Sequence, residues 1–472
     1  MGRAAIEKYD PLVDVGTRER PASETGGSFA VGKRVALSHP GFRGAFVVIL
    51  FASIVGGYLV VLKSPLRLTE DSVVYLSMAY EMVGGPSNFV TRGPHYPAGY
   101  PLLLAGLDTI GLGVPWAFVA LNLIFLAVGI CAAYQLSRLA FGFGPGKALL
   151  VCIGTVLYHR VIWASASPLS DIPFFGMTMA SLLVLTVADR RRDRNGWLLL
   201  IAGAGLAAGA VLIRTAGIAL FPAVVLGVLR RPELEWLHRS RKTLVNLTIG
   251  GTVIALLVIA AAFVIRGTGY DRHVIDRWSS ATSIPQAAND WLFSLGELAA
   301  QLPRTRLPSA LDPVYSAVGV IVLALVVRGA IRRRKFDVVD AFVISLVAIL
   351  FVYPGQQSRY WLPVFPALIA YALLGAESFE RVRPVRLALS AYAAAFATAG
   401  LLSLAASAQV SLSGSDFAAR WSRHVEPRLG ATIKVAFGTT SRTEVHEIDP
   451  DALRILRRYE RRTAIPSLPG KP

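Results

Sequence analysis

The sequence predicts an all-α polytopic membrane protein, because its composition, its hydropathy and the length of its apolar stretches all indicate that class. Of the 472 residues, 54% are hydrophobic and 17% are charged, whereas about 25% are charged in a soluble domain. The mean hydropathy is +0.53. Apolar stretches of about 20 residues, enough to cross a bilayer as a helix, recur along the chain. This composition excludes a soluble enzyme and a disordered chain.

The chain is strongly basic, with 48 lysines and arginines against 30 acidic residues and a formal net charge of +18. In a soluble protein this excess would favour nucleic-acid binding. Here the basic residues concentrate between apolar stretches, so we expect them to set the membrane topology, with no nucleic acid as partner. The two cysteines, Cys131 and Cys152, lie inside apolar stretches and predict buried side chains rather than a disulfide or metal framework.

About eleven transmembrane helices are predicted from the apolar stretches. We expect a mobile cytoplasmic tail over residues 1–41, a transmembrane domain over 42–406 and a small extracytoplasmic C-terminal domain over 407–472. The predicted spans are 43–62, 114–137, 147–166, 172–189, 197–213, 215–229, 244–265, 313–331, 338–354, 361–376 and 385–406.

Arginine and lysine predict that the N-terminus lies in the cytoplasm. The basic clusters at 190–194, 230–242 and 328–337 then fall inside, as is typical of short cytoplasmic loops. The loop 266–312 falls outside and is balanced in charge. The segment 98–112 is short and interrupted by proline and aspartate, so we expect a helix at the membrane interface. Counting it as a span would invert every later loop.

The region after residue 406 carries two opposing signals. The span count places it outside, whereas the basic run 454–462 is typical of a cytoplasmic segment. We predict that 416–425 is helical and that 431–437 and 444–448 form two short strands around a turn. Such strands are marginal alone, so we expect them to dock on the outer loops.

Polar side chains collect on the predicted outer face, where ionisable groups at membrane depth are commonly kept for function. The stretch 69–86 predicts an amphipathic helix, with Thr69 as N-cap, Glu70 and Asp71 in its first turn and a Gly-Gly-Pro stop. Two interpretations stay open for the carboxylates: they complement the helix dipole or they carry chemistry. Arg214 likewise reads either as an interfacial anchor or as a functional cation.

Five stretches of the chain resemble one family, in order and in sidedness. They are DSVVYLSMA from Asp71, HYPAGYPLLLA from His95, SPLSDIPF, which contains the predicted helix start at Asp171, LIRTAG around Arg214 and QSRYWLPVFP around Arg359. Together they resemble the GT-C glycosyltransferases, in the branch with protein O-mannosyltransferases and the lipid A aminoarabinose transferase. That transferase branch has an acidic-basic pair before a double proline, where this chain has His95-Tyr96 and one proline, so the acceptor stays open.

The resemblance implies inverting transfer of a sugar from a polyprenyl-phosphate donor to a glycan, lipid or protein acceptor at the outer edge of the bilayer. It implies Asp71 as the base and Asp171 as a second catalytic carboxylate, either on the acceptor side or in an orienting role. A lipid-phosphate leaving group requires positive charge, which Arg214, Arg266 and Arg359 would supply. The remaining candidates, expected to bind substrate, are Glu70, Tyr75, His95, Tyr96, Gln357 and Tyr360.

No metal or other cofactor is expected, because the sequence shows neither metal-ligand spacing nor a glycine-rich phosphate loop. The expected location is the plasma (inner) membrane, with the active site on the extracytoplasmic face. Three other classes stay open: a transporter or flippase of lipid-linked sugars, an O-antigen polymerase or ligase, and a non-catalytic scaffold. A transporter would carry ionisable residues at mid-span and broken helices in paired halves.

Overall fold

The computed structural model describes residues 40–86, 96–191, 193–231, 283–301, 309–352, 358–379 and 381–413, together with 421, 425, 427–439, 441 and 448–460. The chain divides into two compact units, residues 1–50 and 51–472. Of the first unit only the start of one helix is described. Within the described residues all regular secondary structure is helical.

Sixteen α-helices are described, joined by short turns and by four 3₁₀ segments, Thr215–Leu220, Ser309–Leu311, Ser358–Trp361 and Glu377–Phe379. The helices are α1 Pro40–Val61, α2 Glu70–Met82, α3 Gly99–Thr109, α4 Pro115–Leu139, α5 Pro145–Val156, α6 His159–Ser165, α7 Asp171–Arg190, α8 Arg194–Ile213, α9 Phe221–Leu229, α10 Ser283–Ala300, α11 Asp312–Arg333, α12 Val338–Val352, α13 Phe365–Ala376, α14 Arg383–Leu412, α15 Pro427–Ala436 and α16 Pro450–Tyr459.

Several helices have the length and composition that cross a membrane, so the protein is a multi-pass membrane protein. Five of the described helices qualify, namely α4, α7, α8, α11 and α14, and α5 with α6 makes a sixth if the pair, bent by 60°, is one span. Shorter apolar helices cover most of the other predicted spans. The predicted span 244–265 lies outside the described residues, so the count of eleven stays a prediction.

Helix α7 lies between α4 and α8 and packs extensively on both. A second group joins α10 to α11 and α11 to α13. Gly296 of α10 lies against the backbone of Tyr315 in α11, and Gly319 of α11 lies against the backbone of Leu292 in α10, so closely that a Cβ on either glycine would overlap the other helix. Small residues at such crossings let membrane helices approach and gain packing contacts.

The two helices predicted between the first two spans are confirmed. Thr69 caps α2, since its hydroxyl accepts from the Ser72 amide and the Ser72 hydroxyl accepts from the Thr69 amide. This reciprocal pair satisfies two amide groups that the first turn leaves open. Gly84 follows at a φ of +87°, a conformation that glycine adopts without strain and that ends the helix. Helix α3 occupies the core of the predicted interfacial segment.

The prediction of a strand over 431–437 is wrong, because α15 covers most of that segment. Leu429, Ile433 and Ala436 are buried, and their spacing of about one helical turn places them on one face. Ile433 packs in a cluster with Trp421. Burial on that face outweighs the alternating pattern that predicted a strand. Most of the second predicted strand, 444–448, and most of the predicted helix 416–425 lie outside the described residues.

The C-terminal helix α16 packs against α2 and α3. Arg458 donates to both carboxylate oxygens of Asp108, at 2.9 and 3.0 Å, and its guanidinium lies over the Tyr80 ring. Tyr459 is fully buried and contacts the edge of Phe118. Glu460 accepts a 2.8 Å hydrogen bond from the Leu66 amide. Helix α16 and Glu460 therefore contact both the segment before α2, at Leu66, and the end of α2, at Tyr80.

Loss of the Arg458 side chain should loosen this contact. In Arg458→Ala the Asp108 carboxylate, whose side chain is 4% exposed, loses its partner. Since the Arg458 side chain is 36% exposed, solvent screens the pair and the cost is about 1 kcal/mol. We expect thermal unfolding of the purified protein in detergent to shift down by about 2 °C. Arg457→Ala is the matched control, since Arg457 is exposed on the same helix. Equal unfolding temperatures for the two variants would show that the Asp108 contact contributes nothing to stability.

Candidate active site

Two aspartates and two arginines from distant parts of the chain meet in one cluster. Asp71 lies in the first turn of α2 and Asp171 begins α7. Arg214 follows the last residue of α8, and Arg359 lies in the 3₁₀ turn before α13. Arg359 donates to Asp71 at 2.5 Å and Arg214 donates to Asp171. The second Arg359 nitrogen lies 4.0 Å from Asp171, so the four charges form one network.

Asp71 is held as an ionised carboxylate. Its Oδ2 accepts from Arg359 and its Oδ1 accepts a 2.8 Å hydrogen bond from the Tyr96 hydroxyl. Burial alone would raise the pKa of Asp71, but the positive charges of Arg359 and Arg214 and the hydrogen bond from Tyr96 outweigh it, so the pKa lies below its ordinary value. At neutral pH this carboxylate can therefore accept a proton, and while Arg359 stays bound it is a weak base.

Asp171 lies deeper than Asp71, with its side chain 3% exposed against 24%. The turn before it is fixed by the buried Asn122, whose amide donates to the Ser167 carbonyl at 2.7 Å. Ser170, the last residue of that turn, hydrogen-bonds the Tyr75 hydroxyl at 2.8 Å. These contacts join the start of α7 to α2, which brings the two carboxylates near each other.

Aromatic rings form the walls of the cluster. Tyr360 lies under both guanidinium groups, with Arg214 and Arg359 at 5.1 and 5.2 Å from its ring centroid. Tyr75 contacts Tyr96 and Tyr100 edge to face, each at 5.2 Å between centroids. Faces of aromatic rings attract cations and exclude water. The arginines are therefore held in place without losing their charge.

A second ion pair supports the turn that carries Arg359. Arg160 of α6 donates to the Ser358 hydroxyl at 3.0 Å and to Glu297 of α10 at 2.9 Å. Trp361, on the other side of Arg359, is buried and packs near Trp291 of α10. Helices α6 and α10 thus fix the residues on both sides of Arg359, so the backbone that carries Arg359 is held in position.

A close backbone approach brings the Tyr96 segment to Arg214. A Cβ on Gly99 would overlap the carbonyl of Leu212 at the end of α8. Only glycine permits this spacing between α3 and α8. As a result Tyr96, three residues before Gly99, reaches Asp71, and Arg214, two residues after Leu212, reaches Asp171.

Seven of the eleven candidate residues meet in this cluster: Asp71, Asp171, Arg214, Arg359, Tyr75, Tyr96 and Tyr360. Glu70 does not join it, because its side chain is exposed and, as the residue next to Asp71 in a helix, points in another direction. Arg266, His95 and Gln357 lie outside the described residues. Sequence reasoning assigned no role to Ser170, Tyr100, Asn122, Arg160 or Glu297, since single polar residues inside apolar stretches gave no pattern.

The four charges of the cluster cancel, and one donor in it is unused. Among the described residues the buried Nε of Arg359 has no hydrogen-bond acceptor. Buried donors in proteins are nearly always paired. The cluster therefore offers an anionic group two cations, Arg214 and Arg359, and the free Nε donor of Arg359. It also offers a carboxylate, Asp71, that can accept a proton.

Three-dimensional comparison finds several solved structures similar to this chain. ArnT from Cupriavidus metallidurans in the apo state superposes with a TM-score of 0.45 at 16% identity, over 82% of this chain and 81% of that one. The same protein bound to undecaprenyl phosphate gives a TM-score of 0.36 at 16% identity, covering 81% of each chain.

A second similar protein is the archaeal oligosaccharyltransferase AglB from Archaeoglobus fulgidus, in complex with an inhibitory peptide and a dolichol-phosphate. It matches with a TM-score of 0.42 and 14% identity, over 82% of this chain and 59% of that chain. No protein-family model and no curated protein matches the sequence.

Proposed function

We propose that the protein is a membrane glycosyltransferase that moves a sugar from a polyprenyl-phosphate donor to an extracytoplasmic acceptor, which is a glycan, a lipid or a protein. The observation that carries this proposal is the cluster of Asp71, Asp171, Arg214 and Arg359 at the ends of helices in a multi-pass membrane protein. This cluster contains cations that can stabilise a phosphate leaving group and a carboxylate that can take the proton of the acceptor hydroxyl.

Donor binding is proposed to change the partner of Arg359. In the structure Arg359 is bound to Asp71, and its Nε is open. The two non-bridging oxygens of a phosphodiester accept two parallel hydrogen bonds from a guanidinium, whereas a carboxylate with one oxygen already bonded to Tyr96 does not. As Arg359 moves to the phosphate, the pKa of Asp71 rises because its largest opposing charge leaves. The base thus gains strength only when the donor is present.

The transfer step is then a single displacement. The acceptor hydroxyl oxygen forms the new bond to the anomeric carbon while the bond from that carbon to the phosphate oxygen breaks. The bonding electron pair leaves with the phosphate, where Arg359 and Arg214 stabilise the added negative charge. The hydroxyl proton passes to Asp71. Asp171 keeps Arg214 oriented, and no covalent enzyme intermediate forms, so the sugar inverts at its anomeric carbon.

The position of the charged groups favours a transferase over a transporter. Asp171 is the first residue of α7, and Arg214 and Arg359 lie in turns beside α8 and α13. A transporter of lipid-linked sugars would hold such groups near the middle of broken helices. A site at helix ends suits a donor whose lipid tail stays in the bilayer and whose phosphate lies at its edge.

We propose that the C-terminal region lies on the extracytoplasmic side, with the plasma (inner) membrane as its location. The packing of α16 on α2 and α3 supports this, since it puts the tail on the same side as Asp71. A cysteine replacing the exposed Ser441 should react with a membrane-impermeant thiol reagent in intact cells. The parent protein, which retains Cys131 and Cys152, is the control. Labelling of the variant only after lysis would place the tail and the site inside.

The pH dependence of activity should report the Arg359 contact. In the free protein the charges of Arg359 and Arg214 and the hydrogen bond from Tyr96 outweigh burial and lower the pKa of Asp71. Protonation of Asp71 should therefore not reduce kcat/KM between pH 5 and 8, where even an ordinary carboxylate with a pKa of about 4 is ionised. Arg359→Gln removes the charge that lowers this pKa. The acid limb of kcat/KM should then move to higher pH, with activity lost as Asp71 takes up a proton. An unchanged limb in Arg359→Gln would mean that Asp71 is not the titrating base.

Transfer itself is tested by reconstitution. The purified protein in liposomes should convert a member of a panel of undecaprenyl-phosphate sugars, releasing undecaprenyl phosphate when membrane glycans, lipids and proteins are added as acceptors. Mass spectrometry of glycans from cells with and without the gene identifies the product of the reaction, and this product shows which acceptor to add to the liposomes. Two results together would contradict the proposal and indicate a transporter. Cells without the gene would contain every glycan species of the parent cells, and the liposomes would show movement of the sugar across the bilayer without chemical transfer.

A further inference from the structure

A cavity of about 350 Å³ lies at the end of α7 opposite the candidate active site. Asp171 begins this helix and Arg190 ends it, so at 1.5 Å per residue the two ends are about 30 Å apart. The ends of α4, α7 and α9 and the turn between α11 and α12 form the walls. None of the residues in the active-site cluster lines it.

Partly buried ion pairs hold the walls of this cavity together. Arg230 donates to Asp189 at 2.7 Å and also to the Phe336 carbonyl. Arg333, with its side chain only 4% exposed, pairs with Asp337 and donates to the Ala140 carbonyl at 2.9 Å. Asp189 is therefore paired with Arg230, whereas Arg333 is shared between Asp337 and Asp340, to which it donates at 2.7 Å. These contacts join the turn between α11 and α12 to α4 and α9.

Three cations at the cavity remain uncompensated. Arg190, Arg334 and Lys335 line it, and among the described residues none of them forms an ion pair, since the carboxylates of the cavity bind Arg230 and Arg333. Arg190 donates only to the Leu139 carbonyl. The cavity therefore presents a net positive charge and unused donors to any ligand that enters it.

The backbone at Arg334 is unusual for an arginine. The residue closes α11 in the left-handed region, with φ +52° and ψ +8°, a position where helices commonly have glycine. A side chain there costs stability, and backbone strain of this kind clusters at ligand sites. Arg334 thus places a positive charge at a position whose backbone conformation glycine would adopt with less strain.

We propose that this cavity binds the phosphate group of an acidic phospholipid headgroup. Its volume accommodates a headgroup, and it lies at the ends of the membrane-spanning helices α4, α7 and α11, at the depth where headgroups occur. Basic pockets between membrane helices commonly bind acidic lipids. This inference is independent of the proposed transfer reaction, because it uses none of the groups assigned to catalysis.

The test uses the full-length purified protein in detergent, with thermal unfolding followed during titration with phosphatidylglycerol, phosphatidylcholine or inorganic phosphate. Phosphatidylglycerol alone should raise the unfolding temperature of the wild-type protein in a saturable way. The double variant Arg334→Gly with Lys335→Gln should bind it about 30-fold more weakly, since each basic side chain near an acidic lipid contributes about 1 kcal/mol. Glycine suits the left-handed turn, so without lipid this variant should unfold at or above the wild-type temperature.

The matched control removes the same charge from the loop before α14, by Arg381→Gln with Arg383→Gln, and should bind phosphatidylglycerol as the wild type does. Lys335→Gln alone leaves the backbone of the turn unchanged and should weaken binding about fivefold. Wild-type affinity in Lys335→Gln or in the double variant, an equal loss in the control, or equal stabilisation by phosphatidylcholine would overturn the proposal. Stabilisation by inorganic phosphate as strong as by the lipid would overturn the lipid as the source of the phosphate.

Discussion

Asp71→Asn is expected to lower turnover by about 10² or more while the protein inserts and folds as the wild type does. Asparagine keeps the shape of the side chain and its acceptor for the Tyr96 hydroxyl, but it cannot take the acceptor proton. Arg359 also loses a carboxylate partner, so donor binding should be unchanged or tighter. The measurement is single-turnover transfer at saturating donor, together with the affinity for undecaprenyl phosphate.

Glu70→Gln is the matched control for that result. Glu70 is the neighbouring carboxylate in the same helical turn, but it is exposed and lies outside the cluster. We expect near wild-type transfer for this variant, which separates loss of the base from loss of negative charge at the helix N-terminus. Near wild-type transfer in Asp71→Asn, or an equal loss in Glu70→Gln, would remove Asp71 from the base role.

Arg359→Lys is expected to weaken donor use about tenfold, with little change in acceptor use. Lysine keeps the positive charge but cannot give two parallel hydrogen bonds to a phosphate, and it does not stack on Tyr360 as the guanidinium does. The measurement compares KM for donor and for acceptor, with the affinity for undecaprenyl phosphate as a direct probe. Arg381→Lys, at an exposed position far along the chain, is the control for the exchange itself.

A parallel variant, Arg214→Ala, separates the two cations. It leaves the buried Asp171 without its partner, so we expect reduced turnover as well as weaker donor binding. If the affinity for undecaprenyl phosphate is unchanged in both Arg359→Lys and Arg214→Ala, the phosphate site lies elsewhere, and Arg266 becomes the next candidate.

Much of the helical architecture could be predicted because its signals are local. Apolar length identified the long helices, and the Thr69 cap with the glycines after Met82 defined α2 to within a residue. The prediction of a strand over 431–437 was wrong because the apolar residues of such a short segment fit both the helical period of 3.6 residues and the strand period of two. There the decision depends on the tertiary partner, and only the structure shows that Ile433 lies against Trp421.

The residue types of the site could be predicted, but their pairing could not. Asp71 and Arg359 are 288 positions apart in sequence, and no local pattern indicates that the proposed base and the proposed phosphate ligand bind each other. The same holds for Arg160 with Glu297 and for Asp108 with Arg458, which depend on how helices from distant segments pack. Glu70 was grouped with Asp71 by adjacency, whereas successive helical residues point in different directions.

The central claim, that Arg359 leaves Asp71 for the donor phosphate, is tested most directly by a structure of the protein bound to undecaprenyl phosphate in a lipid nanodisc. We predict Arg359 nitrogens at about 3 Å from phosphate oxygens, Arg214 still bound to Asp171, and Asp71 released from Arg359 and open to the acceptor side. An intact contact between Arg359 and Asp71, with the phosphate bound outside the cluster, would contradict the account.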